Sequence, residues 1–327
     1  MLFLPRISCC LLLSTAILMP AARPPHAAER AVRGAAAAKP AKAARPAAKE
    51  QAAWSLTDPD VVQRQETYKQ VGEVTLKIDI FEPRSKDSAR QYPAIVFFFG
   101  GGWVGGSPSQ FYPHCEYLAG RGMIALAADY RVRSRHQTTP VECVRDGKSA
   151  VRWVRSHAAR LGIDPDRIAA GGGSAGGHVA AAVATTNGFE EPNEDSSVSC
   201  RPNALVLFNP VFDNGPQGYG HDRVQDVFPA ISPLHNLRPG TPPTCVFLGT
   251  QDKLIPVATA KDYQAKMQHN GDRCDLHLYE DQTHGFFNHR GTKNVFYYRT
   301  LAEADRFLAS LGWIAGEPTI AADCLSE

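Results

Sequence analysis

Gly171-Gly172-Gly173-Ser174-Ala175-Gly176-Gly177 decides how this chain is read. A short apolar run, Arg167-Ile168-Ala169-Ala170, leads into it, and a run of small residues, His178-Val179-Ala180-Ala181-Ala182-Val183-Ala184, leaves it. The spacing predicts strand, sharp turn, helix. In such a turn the central residue is forced into strained backbone angles, and there is no room for side chains two residues to either side. Gly172-x-Ser174-x-Gly176 meets that requirement. Ser174 then stands exposed at the apex, beside amides of a helix N-terminus where partial positive charge collects. The pattern marks Ser174 as a candidate nucleophile; the alternative is a Gly/Ala-rich turn that binds nothing.

Working outward, apolar runs alternate with helical patterns. Residues 71–81 alternate apolar and polar (Val74, Leu76, Ile78, Ile80 against Thr75, Lys77, Asp79), as a half-exposed strand of an antiparallel hairpin does. Ala94-Ile95-Val96-Phe97-Phe98-Phe99 is apolar throughout, as a strand buried on both faces is. Further strands are expected at 123–128, 167–170, 204–208, 244–248 and 275–279. Helices are expected at 113–120, 140–161, after the Ser174 turn, at 257–270 and at 293–311. Asp164-Pro165 reads as a turn. Residues 188–202 read as a polar surface loop, and 213–243, with six prolines, as a long irregular insert. The alternation predicts an α/β fold with a mainly parallel sheet and helices on both faces. Chemistry in such sheets gathers at the carboxyl ends of the strands. Gly100 to Trp103, Asp129 to Arg131, Ser174, Asn209 to Asp213, Asp252 and His284 all fall there.

The 327 residues carry a net charge of +2, unevenly spread. Residues 1–28 resemble a signal peptide, with Arg6 before an apolar stretch from Ile7 to Met19 and Ala21-Ala22 or Ala27-Ala28 closing it. Residues 29–53 are Ala/Pro/Lys-rich and read as a disordered basic linker, because alanine cannot offset the entropy of ordering. The catalytic domain is expected at 54–315, followed by a C-terminal tail at 316–327. These features point to export, with no stable membrane insertion. No basic, aromatic-laced run points to nucleic acid. Export permits disulfides among Cys115, Cys143, Cys200, Cys245, Cys274 and Cys324, in a pairing that sequence cannot choose. Cys245, inside a strand pattern, reads as a buried free thiol. No Cys/His spacing suggests zinc, and no metal or cofactor is expected.

A serine hydroxyl attacks only when a base takes its proton, and the base needs a third group to fix its tautomer. His284, in Gln282-Thr283-His284-Gly285-Phe286, is favoured over the other histidines by its loop placement after the last strand. Asp252 follows a strand and opens a loop; Asp213 and Asp281 are its alternatives. Gly100-Gly101-Gly102 after a buried strand can aim N–H groups at a developing oxyanion, together with that of Ala175. No Gly-Lys-Ser/Thr follows, which excludes a phosphate-binding loop.

Phe99-Gly100-Gly101-Gly102-Trp103, Ala128-Asp129-Tyr130-Arg131, Gly172 to Gly177, Gly249-Thr250-Gln251-Asp252 and Thr283-His284-Gly285-Phe286 together resemble the hormone-sensitive-lipase-like esterases of the α/β-hydrolase superfamily. The resemblance spans about residues 54–313. The short lead-in is more similar to the bacterial acetyl xylan and feruloyl esterase branch than to capped lipases, which implies no large cap domain. By resemblance, Ser174, Asp252 and His284 form a triad, and Gly101, Gly102 and Ala175 an oxyanion hole. The implied activity is hydrolysis of a small acyl ester, acetyl or feruloyl, on an acylated polysaccharide. The alternatives are a lipase or serine peptidase on the same fold, or a weak binding module. The family has histidine before the three glycines, where this chain has Phe99. A histidine can brace the loop by hydrogen bonding and Phe99 can only pack, which leaves His114 or Asp129 as the candidate polar brace.

Overall fold

An apolar run such as Ala94 to Phe98 has to lie inside a sheet covered on both faces. The computed structural model describes residues 55–291 and 294–326, and these belong to one compact unit, Gln51–Glu327. The expected targeting segment and linker lie outside the described residues. The strands are β1 (Val61–Val71), β2 (Val74–Pro83), β3 (Tyr92–Phe98), β4 (Ile124–Ala128), β5 (Ile163–Gly173), β6 (Ala204–Phe208), β7 (Thr244–Gly249) and β8 (Cys274–Tyr279). They form one sheet in the order β1-β2-β4-β3-β5-β6-β7-β8. β1/β2 and β2/β4 pair antiparallel, and every pair from β4 onward is parallel. The helices are α1 (Tyr112–Gly120), α2 (Arg133–His136), α3 (Pro140–Ser156), α4 (Ala158–Leu161), α5 (Ala175–Thr185), α6 (Val257–His269) and α7 (Val295–Ser310).

Strand alternation divides the core in two. Ile95 and Phe97 of β3 join Leu118 of α1 and Phe307 of α7 on one face. Ala94, Val96 and Phe98 join Val151 of α3, Val179 of α5 and Tyr263 of α6 on the other. Helices therefore cover both faces, as expected. Among the described residues there is no helical cap domain; the connection from β6 to β7 carries only two short 3-10 turns.

The structure corrects three expectations. The hairpin is there, but Val71 ends β1, a strand the sequence reading lacked, and Gly72-Glu73 turns the chain into β2. A bulge at Tyr68 points both Tyr68 and Lys69 inward, which period-two alternation hides. The helix expected at 140–161 breaks at His157, which leaves helical angles between α3 and α4. Asp164-Pro165 lies within β5, although the ladder with β3 slips between Ile163 and Ile168.

The loop expected at 188–202 is tied down rather than merely solvated. Lys148 of α3 reaches the carbonyls of Thr186 and Gly188 and the Glu190 carboxylate, and Arg152 pairs with Glu190 and Glu194. Glu191 meets Lys69, which also holds the fully buried Asp146 at 2.7 Å. The tail docks as well: Arg121 donates to the carbonyls of Ala315 and Gly316, and Arg299 to that of Leu325. All six described cysteines are free thiols, Cys245 among them and buried. Among the described residues no helix is long and apolar enough to cross a membrane.

Candidate active site

Ser174 sits between β5 and α5 with φ 53° and ψ −118°, a conformation that side chains rarely adopt. The flanking glycines show why the chain tolerates it there. A Cβ on Gly172 would lie 2.5 Å from the Gly176 backbone, and one on Gly176 would lie 2.0 Å from the Phe98 carbonyl oxygen. Ser174 N–H donates to the Phe208 carbonyl at 2.9 Å, and its own carbonyl accepts from His178 and Val211. The strain is thus held from β6 and from α5.

The loops after β7 and β8 bring the other two groups. Asp252 Oδ1 accepts from the N–H groups of Leu254 and Ile255 at 2.9 and 3.0 Å. Its Oδ2 lies 2.7 Å from His284 Nδ1 and its side chain is fully buried. A carboxylate only accepts, so Nδ1 carries the proton and Nε2 is left to accept. His284 Nε2 lies 2.9 Å from Ser174 Oγ. An imidazole so held can take the serine proton as the hydroxyl attacks. The two loops are stapled together: Gln251 N–H donates to the Gln282 carbonyl, and Asp281 N–H to Thr250 Oγ1. Gly249 permits the approach, since a Cβ there would lie 2.1 Å from the Gln282 oxygen.

The glycine loop lies against the serine; a Cβ on Gly100 would come 3.4 Å from Ser174 Cβ. Gly101 and Gly102 have φ of 130° and 62°, angles that free their amides from any ladder. Among the described residues the N–H groups of Gly101, Gly102 and Ala175 have no acceptor. Neither suggested brace holds this loop. His114 is buried in an aromatic nest with Phe97, Phe111, Phe208 and Tyr297, with neither nitrogen hydrogen-bonded. Burial drives its pKa down to about 3. Asp129 pairs with Arg135 and caps Tyr130 N–H.

The braces are others. Gly100 N–H donates to Gln110 Oε1 at 2.6 Å, and Gln110 Nε2 to Asn288 Oδ1 at 2.8 Å. Tyr130 donates its hydroxyl to the Phe99 carbonyl at 2.6 Å while its ring stacks on Phe99, centroids 4.1 Å apart. Burial raises the Tyr130 pKa well above its ordinary value, which keeps that donor protonated. Arg223 Nη1 donates to the Gly102 carbonyl at 2.7 Å. Asn209, with φ 36°, accepts from Gly285 N–H at 3.0 Å and anchors the His284 loop. Sequence reading missed Gln110 and Arg223, placed Asn209 on a strand-end loop without a role, and read Tyr130 only as part of a motif.

The rivals fall away on position. Asp213 accepts from Gly215 N–H and lies 3.8 Å from His235, and Asp281 is exposed. The structure brings together Ser174, His284 and Asp252, with the glycine loop and Ala175 alongside. Among the described residues no cluster of His, Cys, Asp or Glu could hold a metal ion.

Comparison with known proteins finds esterases. The family model described as BD-FAE matches residues 78–214. The acetylxylan esterase of Xylanibacter ruminicola is 27% identical over 249 residues, which are 71% of this chain and 47% of that protein. A probable carboxylic ester hydrolase, LipM, of Mycobacterium tuberculosis is 30% identical over 218 residues, 57% of this chain and 47% of that protein. The chain thus spans about half the length of the curated relatives it matches. The apo form of Thermogutta terrifontis esterase 2 superposes with a TM-score of 0.75 at 46% identity, covering 79% of this chain and 97% of that one. That esterase has also been solved phosphorylated by paraoxon, a form that matches with a TM-score of 0.73.

Proposed function

The chain belongs to the hormone-sensitive-lipase-like esterases of the α/β-hydrolase type, and on that premise we propose that it hydrolyses carboxylic esters through Ser174, His284 and Asp252. The observation that carries this reading is the pair of contacts at His284, 2.9 Å to Ser174 Oγ and 2.7 Å to Asp252 Oδ2. Ser174 attacks the ester carbonyl as its proton passes to His284 Nε2. Asp252 holds the imidazole's orientation and stabilises the imidazolium. The negative charge on the carbonyl oxygen is met by the N–H groups of Gly101, Gly102 and Ala175. Each such donor is worth about 10²–10³ in rate. The imidazolium protonates the leaving alcohol. Water then attacks the acyl carbon of the ester formed on Ser174 as His284 takes its proton, and the imidazolium returns that proton to Ser174 Oγ as the acid leaves.

For the substrate we propose a small acyl group, acetyl or feruloyl, carried on carbohydrate. The support is the likeness to an acetylxylan esterase and the absence of a helical cap among the described residues, which suits a polymer. The expected signal peptide puts this activity outside the cytoplasm. A panel of acetylated xylan, methyl ferulate, tributyrin and a peptide anilide tests the proposal. The first two should be turned over with higher kcat/KM than the last two. A preference for tributyrin or the anilide would make the protein a lipase or a peptidase instead. Ser174→Ala should abolish turnover of p-nitrophenyl acetate; more than a few per cent of wild-type rate would remove Ser174 from its role.

A further inference from the structure

Two side chains from the connection between β6 and β7 reach the glycine loop with donors that ester hydrolysis does not use. A Cβ built on Gly102 would lie 3.1 Å from Tyr219 Oη and 3.3 Å from Arg223 Nη1. Arg223 spends one N–H on the Gly102 carbonyl at 2.7 Å. A guanidinium has five. Arg121, Arg131 and Arg152 each hold a carboxylate, and the half-buried Arg155, Arg201 and Arg238 instead spend their donors on carbonyl or amide oxygens. Among the described residues Arg223 forms no ion pair. It rests on aromatic faces instead, with its guanidinium carbon 5.9 Å from the Trp103 ring centre and 5.7 Å from that of Tyr219. Tyr219 Oη has no hydrogen-bond partner among the described residues.

The pair is also held rigidly. Asn214 Nδ2 donates to the Tyr219 carbonyl at 3.1 Å, and His221 Nδ1 to the Asn214 carbonyl at 2.8 Å. Asn214 N–H donates in turn to Ser232 Oγ at 3.0 Å. Gly220, with φ 75°, lets this segment press on Trp103, where a Cβ would lie 2.7 Å from the indole. A planar guanidinium, oriented by stacking and lacking an acidic partner, is a fork for a carboxylate, with the phenol hydroxyl as an additional donor. We propose that Arg223 and Tyr219 bind a carboxylate carried by the substrate close to its scissile ester. On a polysaccharide such a group is a uronate. The inference rests on the esterase reading and narrows its substrate to anionic esters.

The carboxylate can sit on the acyl or the alcohol side, and two pairs of probes separate these. Mono-p-nitrophenyl succinate against its methyl ester places the charge on the acyl part. p-Acetoxybenzoate against its methyl ester places it on the alcohol part. In one pair the wild type should favour the carboxylate by about tenfold or more in kcat/KM. Arg223→Gln should erase that ratio, Arg223→Lys should keep part of it, and Tyr219→Phe should lower it. Added salt should shrink it, because the charge is only half buried. The proposal is overturned if neither carboxylate is favoured. It is also overturned if Arg223→Gln lowers both members of a pair by the same factor, for then Arg223 only holds Gly102. Failure of the wild type to hydrolyse any of the four esters would instead overturn the esterase reading itself.

Discussion

Phe99 replaces a hydrogen-bonding residue at the entrance to the glycine loop, and the structure shows what does that work in its place. Its carbonyl is held by Tyr130 and the next amide by Gln110. Gln110→Ala leaves the Gly100 N–H unmet, at a cost of about 1–3 kcal/mol for a buried donor. Because the loop matters most as the oxyanion forms, that loss should appear as a fall of about tenfold or more in kcat, with KM little changed. Unchanged kcat would mean that Tyr130 and Arg223 suffice. At the acid position the ranking is also testable. Asp252→Asn should lower kcat by up to about 10⁴. Asp213→Asn should leave it near wild type, since Asp213 meets Gly215 and His235 instead. The opposite ranking in steady-state kinetics would move the acid to the β6 loop.

At the scale of elements, the site depends on two loops being pressed together at Gly249. Gly249→Ala puts a Cβ against the Gln282 carbonyl and should lower both Tm and kcat, since Asp252 and His284 ride on those loops. Overpacking of this kind costs about 1–3 kcal/mol. Gly72→Ala is the control. It strains the β1–β2 turn, with φ 56°, but meets nothing within 4 Å. It should lower Tm and leave kcat alone; equal loss of kcat in both variants would contradict the stapling argument. The same elements show what sequence reveals. β3, β6 and the Ser174 turn were legible because burial on both faces and steric exclusion write themselves into consecutive residues. β1 was not, because its half-buried positions carry the polar Arg64 and Glu66 opposite the exposed Gln63, Gln65 and Thr67, and the bulge at Tyr68 then breaks the period. Ser174, Asp252 and His284 were found from loop placement and chain order. Asn209 was placed at a strand end but its bond to Gly285 was not legible, while Gln110 and Arg223 act through contacts across the fold, the Arg223–Gly102 bond spanning 121 residues, and no local pattern announces them.

Over the whole molecule, two buried histidines tie stability to pH. Burial lowers the pKa of His114 to about 3 and that of His178 to about 4. In the unfolded chain each titrates near about 6.5. Below that pH the unfolded state binds protons that the native state refuses, so stability falls as pH drops from about 6.5 toward 4. The urea midpoint should decline across that window. His114→Leu, which keeps an apolar group in the aromatic nest, should flatten the decline; an unchanged slope would show that His114 does not titrate with unfolding. The account's central claim, that one serine among all those in the molecule is the nucleophile, is tested most directly by reaction with paraoxon followed by peptide mass spectrometry. The arrangement of Ser174, His284 and Asp252 predicts one phosphoryl adduct per chain, on Ser174, with loss of esterase activity in step with labelling. An adduct on another residue, or full labelling of the Ser174→Ala variant, would contradict it.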